Sequence, residues 1–362
     1  MDLNTPICRV LDLARWAPSG DNTQNARFEI LSPNQAIVYG FDTRDHVVYD
    51  LDGKASQLAL GALLETATIA ASGEGATAET ERDSACQETH PTFKVRLSFS
   101  TTVKPDPLID FIKTRSVNRR ALSTRPLTLA ELKELESSVG DGYTVHWISS
   151  TSRRLRIAKL LFHSAKIRLT TREAYEVHHR IIEWRARYSE DKVPDQALGA
   201  DPVTTRVMQF VLGSWDRVQF FNRFMAGTWL PRIQLDFVPA LACASHFAII
   251  AKRPPATIDD HIDAGRVMQR FWLTATKLGL QLQPEMTPLI FSKYAGEGRQ
   301  FSTNHAALRM AQKVRDSFIK ELGEDQTDRC VFFGRLGAGG PATARSLRKP
   351  FRAVLVGHQE PQ

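Results

Sequence analysis

Two segments of this chain combine residue types that could capture an anionic ligand. Ala17-Pro18-Ser19-Gly20-Asp21-Asn22-Thr23-Gln24 is a polar turn, stiffened by proline, between a helical and a strand pattern. Arg115-Ser116-Val117-Asn118-Arg119-Arg120 is a guanidinium cluster with no carboxylate from Ile112 to Ala130. Arginine presents a planar fork of donors that matches phosphate oxygens. Each segment has a plainer reading: a helix stop for the first, a solvated basic stretch for the second.

Two later segments extend the set. Gly279-Leu280-Gln281-Leu282-Gln283-Pro284-Glu285-Met286-Thr287 combines a glycine helix end with a proline. Arg345-Ser346-Leu347-Arg348-Lys349-Pro350 is basic and lies near the C-terminus. Other motifs fail on context. Gly337-Ala338-Gly339-Gly340-Pro341 follows an apolar run like a dinucleotide fingerprint, but Pro341 and Pro350 interrupt the required helix. His178-His179 has no HExxH pattern or cysteine partner to complete a metal site. Ser19 lacks a GxSxG setting, and no carboxylate pair stands out as acid and base.

The elements that must position these groups fall into two similar series. Residues 6–16 read as a helix stopped by Pro18. Strands follow at 28–31 and 36–39, joined at Pro33-Asn34, then a helix over 54–72 with almost no polar face. Residues 73–92 read as a loop, 93–99 as a half-buried strand and 104–107 as a linker. The second series opens with a helix over 129–138, where Thr128 and Glu131 form a capping box. It continues with a strand at 143–148, a long helix over 151–188, a core strand at 241–250 and a helix over 262–278. Late strands are predicted at 330–333 and 352–356. Gly53-Lys54 with Gln57 and Gly265-Arg266 with Gln269 share one spacing, which suggests two matching helix starts. Residues 172–234 carry Trp184, Trp215 and Trp229 with many arginines, too aromatic for a disordered linker, and read as a helical cover.

Composition bounds the alternatives. The chain has 362 residues, 42% hydrophobic and 24% charged, as for a soluble globular protein of about two domains. Its net charge of +7 suits a phosphorylated ligand; the basic runs are scattered, and no groove-reading helix or aromatic RNA motif supports nucleic-acid binding. Cys8, Cys86, Cys243 and Cys330 lie far apart with no CxxC, which argues for a reducing, cytoplasmic setting. Residues 1–30 lack a signal-peptide pattern, and the most apolar stretch, 237–251, is too short to span a bilayer.

On these segments the chain resembles the nitroreductase-like flavoprotein superfamily, most closely its single-chain, tandem-repeat (Acg-like) members. The resemblance implies an α+β fold of two nitroreductase-like repeats, mixed sheets flanked by helices, forming one pseudo-dimeric unit. The first repeat would span 1–103 and the second 104–362, with the cover inserted at about 172–234. It also implies one FMN per chain at the junction of the repeats. Arg115 and Arg119 match the family's Arg-x-Ser-x-Arg, with Val117 where serine is expected. Pro18, Ser19, Asn22 and Gln24 match its ring-facing turn, and Arg345 and Arg348 its closing basic segment. By that resemblance Arg115, Arg119 and Arg348 hold phosphate, and Pro18, Ser19 and Asn22 face the ring. Met286 and Thr287 present backbone N–H groups at flavin N5.

Hydride or electron transfer from N5 to a small organic acceptor is the function so implied, with NADH or NADPH as the reductant to be tested. An FMN-storage protein with a lidded site is the competing reading. Oxidative work on flavin or on a biosynthetic intermediate is a third. The chain would be a monomer and would bind neither nucleic acid nor membrane.

Overall fold

The computed structural model describes residues 4–224 and 227–357. The first series is α1 (Pro6–Ala14), β1 (Ala26–Ser32), β2 (Gln35–Gly40), α2 (Lys54–Gly73), β3 (Ala76–Arg82) and β4 (Thr92–Phe99). Pro6 at the start of α1 costs no hydrogen bond there, and Ile7, Val10, Leu11 and Ala14 bury one face. The four strands form an antiparallel sheet in the order β1-β2-β4-β3. The stretch that reads as a loop at 73–92 thus contains a strand. β3 is an edge strand whose residues beyond Ala76 are exposed or half-exposed, so it carries no apolar alternation to betray it.

The second series begins with α3 (Leu129–Ser138), β5 (Tyr143–Ile148), α4 (Thr151–Thr170) and α5 (Arg172–Ile181). The capping box of α3 forms: Glu131 N–H donates to Thr128 Oγ1 at 3.2 Å, and Thr128 N–H donates to Glu131 Oε2 at 2.7 Å. The single helix predicted over 151–188 is broken. Thr171 turns to extended backbone (φ −107°, ψ 140°), and the chain after Ile181 is extended. Short pieces follow: β6 (Ile182–Glu183), β7 (Tyr188–Ser189), β8 (Val193–Pro194), α6 (Pro202–Val211), α7 (Trp215–Phe224), α8 (Trp229–Arg232) and α9 (Val238–Leu241). Between α8 and α9, Ile233–Phe237 forms a wider π-type turn.

The series closes with β9 (Ser245–Ala251), α10 (Ile258–Lys277), β10 (Leu280–Pro284), α11 (Met286–Gly296), α12 (His305–Leu322), α13 (Glu324–Arg329), β11 (Cys330–Ala338) and β12 (Arg345–Ser346). The second sheet, all antiparallel, has the order β5-β9-β11-β10. Both sheets share one path: two strands, a long helix, then two strands of which the last inserts beside the second. All seven residues of β9 are buried. The strand predicted at 352–356 is a 3₁₀ turn, Phe351–Val354, followed by one bridge from Leu355 to Phe28 of β1. Val356 N–H donates to Phe28 O at 2.8 Å, so the tail of the second series closes on the first sheet.

α2 and α10 cross at the centre. Gly61 and Gly265 occupy the same position in two helices of 20 residues each. A Cβ on Gly61 would lie 2.0 Å from Ile262 O, and one on Gly265 would lie 2.1 Å from Leu58 O, so the backbones touch. This corrects the register in the sequence: Gly265 does not start α10 but sits inside it, opposite Gly61 and not equivalent to Gly53, which precedes α2. Gln269 Nε2 donates to Thr66 Oγ1 at 3.0 Å and Arg270 pairs with Glu65 at 2.7 Å, which fixes the crossing. Among the described residues no helix is long and apolar enough to cross a membrane.

Candidate functional site

The turn after α1 carries unusual backbone. Asp21, Asn22 and Gln24 have φ of 51°, 62° and 51°; among the described residues only Arg185 is a further non-glycine with positive φ. Such conformations cost of order 1–3 kcal/mol each and persist where surroundings over-determine them. Here they are over-determined. Gln24 N–H donates to Ser19 Oγ at 3.0 Å. Asn22 Nδ2 donates to Glu190 O at 3.1 Å, and its Oδ1 accepts from Arg348 Nη1 at 2.9 Å. Gln24 Nε2 donates to Glu190 O at 2.8 Å, and its Oε1 accepts from Lys349 N–H at 2.9 Å. Asn22 and Gln24, which match a ring-facing motif, thus also bond the insert and the C-terminal segment and hold the turn in place.

Arg115, Arg345 and Arg348 converge behind this turn from distant parts of the chain. Arg115 is 3% exposed; its Nη2 donates to Trp16 O at 3.0 Å, and its guanidinium lies 4.6 Å from the centre of the Trp272 ring. Arg348 Nη2 donates to Ala17 O at 2.8 Å. Arg345 Nη2 donates to Lys113 O at 2.9 Å, and its guanidinium lies 5.7 Å from the Trp16 ring. None of the three forms a salt bridge among the described residues; nearby Arg15 pairs with Asp12. Arg115 Nε, Arg345 Nε and Trp16 Nε1 are buried donors without an acceptor among the described residues. Burial, then the like charges of Arg345 and Arg15, lower the Arg348 pKa to about 9. Arg115 is pushed well below its ordinary value by burial and then by Arg348 and Arg345. Buried cations with spare donors and no counter-charge suit a multiply charged oxyanion.

Arg119 belongs to a different neighbourhood. Nη1 donates to Ala197 O at 3.3 Å, and the charge beside it is that of Asp21. Burial raises the Asp21 pKa to about 6 against the opposing pull of Arg119. Around them stand Tyr49, whose hydroxyl is 3.2 Å from His178 Nε2, and Arg168, whose Nη2 is 2.7 Å from both oxygens of Asp236. Burial, then Arg168, pushes His178 down to about 3, so it is neutral at ordinary pH. These side chains sit deep enough to shift their titration, yet Asp21, Tyr49, Arg119, Arg168, His178 and Asp236 all keep accessible surface. No local motif marks Arg168, His178 or Asp236; only the fold brings them here.

Between the two neighbourhoods the chain runs extended. Val117 bridges Leu282 of β10, and Asn118 N–H donates to Leu282 O at 3.1 Å. Val117 packs against the core, so it fills an apolar position. Beyond β10, Glu285 N–H donates to Phe333 O at 2.9 Å, and Pro288 has no N–H. The first turn of α11 therefore leaves the N–H groups of Met286 and Thr287 without an intrahelical partner. Met286 and Tyr49 line one cleft, and Tyr49 and Asp21 line the next. Pro18 and Ser19 line a third, with Arg15 and Gln24.

The segment that covers this region is narrower than the predicted cover. Residues 187–199 lie over the turn and Arg119: β7 pairs with β12, Ser346 Oγ donates to Lys192 O at 2.8 Å, and a Cβ on Gly199 would be 3.1 Å from Arg119 O. Helices α6 to α8 instead turn Val203, Val207, Phe210, Phe220, Phe224 and Trp229 outward.

No protein-family model matches the chain, and no curated protein matches it. Solved structures do resemble it. The nitroreductase-like family protein from Bacillus cereus is similar over 71% of this chain and 96% of its own, at 13% identity and a TM-score of 0.34. The FMN-dependent nitroreductase NfnB from Mycobacterium smegmatis, solved in complex with NADPH, is similar over 67% of this chain and 94% of its own, at 15% identity and a TM-score of 0.35.

Proposed function

We propose that the chain is an FMN-dependent oxidoreductase. It would consist of two nitroreductase-like repeats, residues 1–103 and 104–362, that hold one FMN at their junction and act as a monomeric pseudo-dimer. The observation that carries this reading is the convergence of Arg115, Arg345 and Arg348 on the turn after α1, with three buried donors left without acceptors and no carboxylate among them. That donor set fits a phosphate monoester. Arg115, Arg345 and Arg348 would hold the phosphate, with Pro18 and Ser19 beside it. Arg119, beside Asp21 and away from that cluster, would serve the ring end.

FMN, when bound, supplies hydride and electron transfer at N5, with the protein providing binding and electrostatics. Met286 and Thr287 would direct their N–H groups at the ring edge. Arg119, Asp21, Tyr49 and His178 would line the space for NADH or NADPH and for a small organic acceptor. Titration of the purified protein with FMN and with riboflavin tests the reading: tight FMN binding and much weaker riboflavin binding are expected. Equal affinity for both would remove the phosphate site.

The second reading, FMN storage, draws on one observation. The carbonyls of Glu190 and Lys192 are bonded to Asn22, Gln24 and Ser346, so the insert is tied down over the turn. Steady-state oxidation of NADH or NADPH by the FMN-loaded protein separates the two readings.

A further inference from the structure

His246 lies on β9 with no exposed surface, and both of its ring nitrogens face oxygen. Nδ1 is 2.7 Å from Glu285 Oε2, and Nε2 is 2.9 Å from Ala240 O. A neutral imidazole has one N–H and one lone pair, whereas a carboxylate and a carbonyl can only accept. Two acceptors at these distances need two donors, which means an imidazolium. Glu285 is held from its other side too: Arg335 Nε is 3.3 Å from Oε1. Arg335 on β11 stands opposite His246 on β9 and Gln283 on β10, so two adjacent strands deliver two cations to the carboxylate that follows the third. Arg335 Nη2 also donates to Arg119 O and Arg120 O, each at 3.0 Å. Glu285 immediately precedes α11, whose first two N–H groups are those of Met286 and Thr287.

We propose that His246 is a positioning residue. As a buried imidazolium it clamps Glu285 together with Arg335, fixes the start of α11 and the backbone at Arg119, and leaves a net positive charge that favours negative charge on the bound flavin. This rests on the FMN reading above. The other groups around the ring do not undo the protonation. Cys243 Sγ, 3.7 Å from Nε2, donates to Ala240 O at 3.3 Å; Arg154 meets the carbonyl of Cys243; and Asp236 is a further acid that acts on Glu285 and Arg335 through its charge. Phe333 stacks parallel to the ring at 6.1 Å. Burial alone would lower the His246 pKa, but the Glu285 carboxylate, aided by Cys243, prevails and holds it at about 10.

Nitrogen NMR of the protein labelled at histidine tests the protonation without any substitution and without cofactor. Both nitrogens of His246 should stay protonated through the range where histidine ordinarily titrates. Loss of one proton there would overturn the proposal. The second arm compares the reduction potential of bound FMN in wild type and in His246→Gln. The preference for reduced over oxidised FMN should fall roughly tenfold, as expected for removing one partly screened charge. An unchanged potential in a folded, FMN-loaded variant would overturn the proposal and leave the FMN reading intact. If the wild-type protein takes up no FMN, the FMN reading falls and the NMR result alone decides the clamp.

Discussion

The two ends of the site treat their arginines in opposite ways. At one end Arg115, Arg345 and Arg348 crowd together against backbone carbonyls, with no salt bridge to any of them among the described residues. At the other, Arg119 faces Asp21, Arg168 is locked on Asp236, and Arg335 is locked on Glu285. A buried cation without a counter-charge is costly, whereas a paired one is close to neutral locally. The first end is therefore incomplete without an external anion. The second sets a carboxylate beside each of these guanidiniums, and it suits a flat group. A ligand that is a dianion at one terminus and a ring at the other matches that contrast in the right order.

The sharpest way to break the contrast is to remove cations from each end separately. Charge-assisted hydrogen bonds contribute about 1.5–3 kcal/mol each. The double variant Arg115→Ala, Arg348→Ala should therefore lose FMN affinity by roughly a hundredfold or more, while riboflavin binding barely changes. Arg119→Ala should weaken FMN and riboflavin by similar factors, because its charge belongs to the ring end. Calorimetric titration of both ligands reads the difference. If Arg119→Ala spared riboflavin and cost FMN alone, Arg119 would belong with the phosphate group and the contrast would fail.

A second test alters the spacing between the ends. The α2–α10 crossing admits no side chain at Gly265, where a Cβ would lie 2.1 Å from Leu58 O. Gly265→Ala must push the helices apart and should cost about 3 kcal/mol of stability, measured by urea unfolding. Any surviving FMN and riboflavin affinity should drop together, since neither end changes chemically. A variant as stable as wild type would mean that the crossing is looser than its geometry indicates.

The third test uses pH. Asp21 has a folded pKa of about 6 against an ordinary 3.8, so the folded state binds more protons than the unfolded state between those values. Stability from this group is therefore highest below the lower value and falls as pH rises through the higher one. Asp21→Asn should be neutral in acid and should stabilise the protein above the folded pKa by up to about 3 kcal/mol, reduced by solvent screening of the half-exposed carboxyl. Urea midpoints on both sides of the transition check it. A stabilisation that did not depend on pH would point to relief of backbone strain, since asparagine also tolerates the left-handed region.

How much of this was legible depended on how local each cause is. The α3 capping box is a contact between residues three apart, so Thr128 and Glu131 announced it. α2 was legible because nearly every face of it is apolar. β3 was hidden because an edge strand need not alternate, and the break at Thr171 carries no proline or glycine. The cationic end was visible by residue type, since Arg115, Arg345 and Arg348 stand in basic segments without acids. Its separation from Arg119 was not, because that depends on where β10 and the insert run. The bonds from Asn22 to Glu190 and Lys192 and from Gln24 to Glu190 were hidden for the same reason, since only the folded insert brings those carbonyls to the turn. The topology shared by the two sheets could be suspected from the order of elements, but the glycine pair that aligns the central helices was misregistered, because short matches cannot fix a register.

The smallest expected effect concerns the stretch between the ends. Val117 stands where the resembled pattern has serine, and a hydroxyl there would be a phosphate or ribityl ligand if the side chain faced the cofactor. In this chain Val117 bridges Leu282 and, half-buried, packs against the core. Val117→Ser should therefore not restore a missing grip. It places a hydroxyl among apolar neighbours and should lower stability by about 1 kcal/mol, with the ratio of FMN to riboflavin affinity unchanged. A clear rise in that ratio would show that position 117 reaches the phosphate. The cationic end would then extend along the strand toward Arg119, and the boundary between an unpaired end and a paired end would have to be redrawn.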